Sequence, residues 1–231
     1  MLIFIHGMWS NTNIWKNFIK YFEERNFPCK AIDLKEGLNL KEIGFIDYVK
    51  KVGAIATKDD ILIGHSMGGL IVQKVAEMQK IKGGVAICSA PPKGIKFRNV
   101  RMILSSAKYL PKIILRKPFK PSYSFLKKYI LNCLPDDEAR NIFYTVEPEA
   151  PKVAYELAMN KIEVNEKKVS CPLLFIATKD DKASPPKMVE KIAKKYNAQF
   201  IILDGCHWIF SKWQEIAEEI SKFLIKLYES P

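Results

Sequence analysis

Ser66 stands in the run Gly64-His65-Ser66-Met67-Gly68-Gly69, directly after the apolar stretch Ile61–Ile63 and before a helix-patterned segment. A sharp strand-to-helix turn twists the serine backbone, so the positions two before and two after it must be small, and Gly64 and Gly68 are. Such a turn projects the hydroxyl at the C-terminal edge of a sheet, beside a helix N-terminus whose free N–H groups and dipole favour a developing negative charge. A serine hydroxyl needs a base to become a useful nucleophile. Only three histidines are present. His6 ends the first apolar run. His65 flanks the serine, with its side chain expected to point away from the reacting centre. His207, in Asp204-Gly205-Cys206-His207-Trp208 after the last strand-like run, is the candidate base.

An imidazole base needs a carboxylate to hold its tautomer. The strand-like run Leu173–Ala177 leads into Thr178-Lys179-Asp180-Asp181, followed by Pro185-Pro186. Asp180 and Asp181 compete for the role. Asp181, four residues before Pro185, is preferred, and the other would be a solvated surface charge. A tetrahedral intermediate also needs donors for its oxyanion. The Met67 N–H, next to the nucleophile, is one candidate. The Met8 N–H, in His6-Gly7-Met8-Trp9, is the other, with Gly7 allowing close backbone approach. These residue types suit acyl transfer: attack by Ser66 on an ester carbonyl, proton transfer through His207, and release of the acyl group to water. No metal or organic cofactor is required, and no P-loop or G-x-G-x-x-G occurs.

The elements that must position these groups follow from periodicity. Strand-like runs at Leu2–Ile5, Ala31–Leu34, Ile61–Ile63, Val85–Cys88, Leu173–Ala177 and Phe200–Leu203 alternate with helical patterns at Asn13–Arg25, Ile43–Val52, Gly69–Met78, Pro186–Tyr196 and Lys212–Leu227. In the first of these, Ile14, Phe18 and Phe22 share one helical face. Alternation of this kind predicts an α/β fold: a mostly parallel sheet of about six strands with helices on both faces.

The rhythm breaks from about Pro92 to Lys168, where helical patches such as Val100–Leu110 and Glu138–Tyr144 are separated by Pro111, Pro118, Pro121 and Pro135. This predicts a helical cap, residues 92–168, inserted into a core of residues 1–91 and 169–231. From Lys93 to Leu134 the cap carries eleven Lys or Arg and no Asp or Glu. Such a run is either a solvated helix face or a surface that attracts an anionic substrate or a lipid surface by weak contact. Met102, Leu104, Tyr109, Phe119, Tyr123 and Phe125 are candidates to line an apolar pocket.

With 231 residues, 48% of them apolar, the chain can bury a full core. Its net charge of +12 raises the question of nucleic acid, but no helix-turn-helix, zinc-finger, RRM or KH pattern accompanies it, so no nucleic-acid partner is expected. The five cysteines are odd in number and widely spaced, without C-x-x-C. That predicts reduced thiols rather than a disulfide framework, with Cys206 a small pocket residue. The opening apolar run is too short for a signal peptide and no stretch reaches the roughly 18 apolar residues of a spanning helix, so a soluble, cytoplasmic protein is expected. Oligomeric state is left open.

His6-Gly7 after the first strand, the Gly64–Gly69 turn, Ser89-Ala90-Pro91-Pro92-Lys93-Gly94, the Asp181–Pro185 loop and His207-Trp208 together make the chain resemble the α/β-hydrolase superfamily, in its lipase/esterase-like branch. The serine, acid, histidine order is that of this superfamily. The resemblance spans the whole chain. It implies a triad of Ser66, Asp181 and His207 at the C-terminal edge of the sheet, an oxyanion hole at Met8 and Met67, and a cap over the pocket. The implied activity is hydrolysis of small carboxylic esters, acyl or aryl. Lactonase, thioesterase or lipase action on the same triad, or a non-catalytic small-molecule receptor, are the alternatives, and turnover separates the last from the rest. Two departures stand out. The family's first strands precede the point where this chain starts, and Ala177 replaces a glycine common at that strand end.

Overall fold

A computed structural model describes residues 1–95 and 100–229. Six strands form one parallel sheet in the order β2-β1-β3-β4-β5-β6: β1 Leu2–Ile5, β2 Cys29–Ile32, β3 Ile61–His65, β4 Gly83–Ile87, β5 Leu173–Thr178 and β6 Gln199–Leu203. Every residue of β1, β3, β4 and β5 is buried, as their apolar runs require, with polar groups only at the C-terminal ends, His65 of β3 and Thr178 of β5. The edge strands β2 and β6 are partly exposed.

Side chains alternate across the sheet with period two. Leu2, Phe4, Ile61, Ile63, Leu174 and Ile176 face α1 (Lys16–Glu23) and α10 (Trp213–Glu229), meeting Phe18, Phe22, Ile216 and Ile220. Ile3, Ile5 and Leu62 face α2 (Phe45–Ile55) and α3 (Met67–Met78). Phe175 and Ala177 pack on Val189 and Ile192 of α9 (Pro186–Lys195). The fold is therefore the expected α/β sandwich. No helix among the described residues is long and apolar enough to cross a membrane.

Three local differences from the sequence reading have physical causes. Strand β2 ends at Ile32 rather than Leu34, because the Leu34 N–H leaves the ladder and donates to His6 Nε2 at 3.2 Å. Helix α3 begins at Met67, two residues before the periodic stretch, since tertiary contact overrides the poor helix propensity of Gly68 and Gly69. Between β4 and β5 lie α4 (Val100–Ser106), α5 (Leu110–Ile114), α6 (Tyr123–Tyr129), α7 (Asp136–Thr145) and α8 (Pro151–Ala158). Helices α6 and α8 had no periodic signal strong enough to find them. Their starts are nonetheless marked, by Ser122 accepting from the Phe125 N–H and by Pro151 at the first turn. Lys96 and Arg98 of the basic run lie outside the described residues.

Candidate active site

The loops after β1, β3, β4, β5 and β6 all leave the C-terminal edge of the sheet, and they carry Gly7, Ser66, Cys88, Asp181 and His207. The strand order reverses between β1 and β3, so Gly7 and Ser66 flank the switch point, where open parallel sheets place their ligands.

Ser66 adopts φ 55° and ψ −114°, a region that costs on the order of 1–3 kcal/mol for a residue with a side chain. Its N–H donates to Ile87 O at 2.9 Å and its carbonyl accepts from Gly69 and Ala90 at 3.0 Å. The glycines make the turn possible by close approach. A Cβ on Gly64 would sit 2.2 Å from the Gly68 carbonyl oxygen, and one on Gly68 would sit 2.3 Å from that of Ile5.

His207 Nε2 lies 2.9 Å from Ser66 Oγ, and its Nδ1 lies 2.8 Å from Asp181 Oδ2. With Nδ1–H donating to the carboxylate, Nε2 is left to accept the Ser66 hydroxyl proton. Asp181 Oδ1 accepts from the Ala183 and Ser184 N–H groups at 2.8 and 2.7 Å. Burial opposes the Asp181 anion most strongly, but the His207 ring and the Ser184 N–H outweigh it and hold the carboxyl below its ordinary value. Asp180 is exposed, its N–H tied to Gly205 O. Of the two competing acids, Asp181 is the one that meets the histidine.

Met8 and Met67 both border the cavity in front of Ser66. The Met67 N–H belongs to the first turn of α3, where no intrahelical acceptor exists. The loop carrying Met8 presses on the serine, since a Cβ at Gly7 would lie 3.1 Å from Ser66 Cβ. His6 shapes that loop from within, donating from Nδ1 to Gly7 O at 2.8 Å.

Four residues that the sequence reading passed over or misplaced support the site. His65 does not point away: its ring lies 4.8 Å from that of His207, and its Nε2–H donates to His207 O at 2.9 Å. Burial, then the neighbouring His207, pushes the His65 pKa down to about 3, so it is a neutral donor. Glu149, fully buried, accepts from Tyr48 OH at 2.6 Å and the Ala150 N–H at 2.8 Å, and reaches the Trp9 N–H at 3.4 Å. It thereby ties the Met8 loop to α2 and α8, and no spacing rule connects residues 140 apart. Cys133 and Cys206 form a disulfide, Cα–Cα 5.7 Å. This corrects the expectation of reduced thiols throughout and of Cys206 as a pocket residue. Wide separation in sequence hid a pair that the fold brings together, and Cys29, Cys88 and Cys171 remain free.

Cys88, Asp181 and His207 form a buried cluster of metal-binding size. The histidine and carboxylate donors are already committed to each other, and burial raises the Cys88 thiol well above its ordinary value, which keeps it protonated.

The cavity measures about 410 Å³. Met102, Tyr109, Ile113, Phe119, Phe125 and Leu131 are among the side chains that line it, and among the described residues no Asp, Glu, Lys or Arg does. Leu104 and Tyr123, also candidates, are elsewhere: Leu104 is exposed, and Tyr123 packs on Phe143.

Comparison with known proteins agrees with this architecture. A pimeloyl-[acyl-carrier protein] methyl ester esterase of Wigglesworthia glossinidia brevipalpis is 35% identical over 95 residues, a match spanning 39% of this chain and 36% of that protein. A carboxylesterase structure from the thaumarchaeon Nitrososphaera gargenis superposes with a TM-score of 0.76 at 18% identity, covering 99% of this chain and 90% of the other. A lipase-esterase related protein from Clostridium acetobutylicum gives 0.73 at 23% identity, covering 96% and 93%. A sequence profile described as the alpha/beta hydrolase family matches residues 2–219, and the chain belongs to that family.

Proposed function

We propose that the chain hydrolyses carboxylic esters with an apolar acyl or aryl group, through an acyl-enzyme on Ser66. The observation that carries the reading is the continuous Asp181–His207–Ser66 hydrogen-bond chain, 2.8 and 2.9 Å, opening on an uncharged apolar cavity. His207 takes the Ser66 proton as the oxygen attacks the ester carbonyl. The Met8 and Met67 N–H groups receive the oxyanion, and Asp181 holds the ring and stabilises its cation. His207 then protonates the departing alcohol and activates the water that frees the acid. The named activities of the similar proteins, a methyl ester esterase and a carboxylesterase, point the same way.

The test uses short p-nitrophenyl esters, then a panel of lactones and thioesters, together with a fluorophosphonate label. Wild-type protein should turn over the esters and take the label on Ser66. Ser66→Ala should keep its fold, lose the label, and lose on the order of 10⁴–10⁶ in kcat. Unchanged turnover in that variant defeats the mechanism. Tight binding of esters with no turnover by the wild type would make the fold a receptor.

A further inference from the structure

The segment from Arg101 to Lys117 has two unlike faces. Met102, Ser106, Tyr109 and Ile113, spaced four, three and four apart, turn inward and line the cavity. Facing away are Leu104, Leu110, Ile114 and Leu115, exposed by 69%, 49%, 70% and 63%. A third of the large apolar side chains exposed among the described residues thus fall within residues 104–115. Isolated exposed leucines are ordinary; a cluster on one short segment marks an interaction surface. Interleaved with them are Arg101, Lys108, Lys112, Arg116, Lys117 and Lys120, all exposed, and none forms an ion pair among the described residues. No acid occurs anywhere from Lys93 to Leu134.

We propose that this outer face rests on an anionic lipid surface, with the leucine and isoleucine side chains entering the headgroup boundary and the lysines and arginines meeting lipid phosphates. Apolar tips among cations, without acids, are the chemistry an interfacial helix uses, since burial of apolar area and attraction to anionic lipid act together. A solvated face explains the cations but not the four apolar side chains among them. A protein partner with acidic groups matches the charge alone. The docked segment is one wall of the cavity. Docking itself does not depend on the chemistry proposed for Ser66.

The experiment is sedimentation of the Ser66→Ala protein with vesicles, which separates docking from turnover. At low salt the protein should pellet with equimolar phosphatidylcholine and phosphatidylglycerol vesicles and stay in solution with phosphatidylcholine alone. Binding should weaken as added salt shortens the Debye length below about 10 Å. The double variant L104E/I114E, changed only at exposed positions, should partition at least about tenfold less. Lys50→Gln with Lys58→Gln, the same change of two charges at exposed positions outside the segment, should leave most of the binding. Absence of pelleting with anionic vesicles overturns the proposal, as does equal loss in both double variants. Binding to polyglutamate without any binding to vesicles would assign the face to an acidic protein and overturn it too.

Discussion

Asp181 carries its charge in a place where burial alone would neutralise it. Three donors, His207 Nδ1–H and the Ala183 and Ser184 N–H groups, hold the anion there. Replacing it with asparagine keeps the shape, but the amide can present its NH₂ to the ring and favour the wrong tautomer, leaving Nε2 protonated and unable to accept from Ser66. Asp181→Asn should therefore lower kcat by roughly 10⁴, while Asp180→Asn leaves ester turnover near wild type; the reverse ranking would reassign the acid. His65 gives a separate prediction. A histidine held neutral down to about pH 3 in the fold but titrating near 6.5 when unfolded makes the unfolded state bind the extra proton in between. Stability should then fall as pH drops through that window, by up to about 1.4 kcal/mol per pH unit. Thermal melts at stepwise lower pH should show this slope, and His65→Gln, which cannot titrate but can still donate, should flatten it. An equal slope in both proteins would sink the assignment. His207 was legible because chain order and strand-end position narrowed the choice among the histidines. The placement of His65 was not, because the direction of a side chain inside a strained turn depends on the loop from β6 folding over it.

At the scale of elements, the turn between β3 and α3 is legible because its constraint is local. Glycine at 64 and 68 answers a collision that adjacent residues would create with the turn itself and with β1. Gly64→Ala would drive Cβ to 2.2 Å from a backbone oxygen that cannot move without breaking the helix start. Loss of several kcal/mol, or failure to fold, is expected, in line with overpacking at a site without room. Gly53, inside α2, offers the contrast. Its Cβ would meet only the end of the Gln79 side chain at 3.0 Å. Gly53→Ala should be neutral to stabilising, by up to about 1 kcal/mol, since alanine is the better helix former. Chemical denaturation of the pair checks the contrast, and comparable effects of the two substitutions would contradict it. The helices between β4 and β5 were harder to read. Tyr109, Phe119 and Phe125 face a cavity and one another rather than a sheet, so their spacing follows the pocket's shape more than a regular amphipathic period. Glu149 was invisible for a related reason. A glutamate is ordinarily solvated, and only the closeness of Tyr48 and the Trp9 loop lets it be buried with its lone pairs used.

At the scale of the whole molecule, the helical segment between β4 and β5 is fastened to the loops that carry Asp181 and His207. The Trp208 N–H donates to Ile130 O at 3.1 Å, Asn132 Nδ2 donates to Asp180 O at 3.1 Å, and the Cys133–Cys206 bond joins the same short segment to the residue before His207. One stretch, 130–133, therefore grips both sides of the hydrogen-bond chain that ends on Ser66. Closing a loop across 73 residues removes unfolded-state freedom worth on the order of 4 kcal/mol in the chain-entropy view. Reduction should lower the thermal midpoint by several degrees. Because the two hydrogen bonds persist, ester turnover should fall only severalfold and not vanish. Cys29, Cys88 and Cys171 are unpaired, so a reductant acts on this bond alone, and Cys133→Ser should reproduce its effect without one. Alkylation and intact mass establish whether the bond has opened. A protein shown in that way to be reduced, yet melting at the same temperature as the oxidised form, would mean that the hydrogen bonds alone fasten the helical segment to the site.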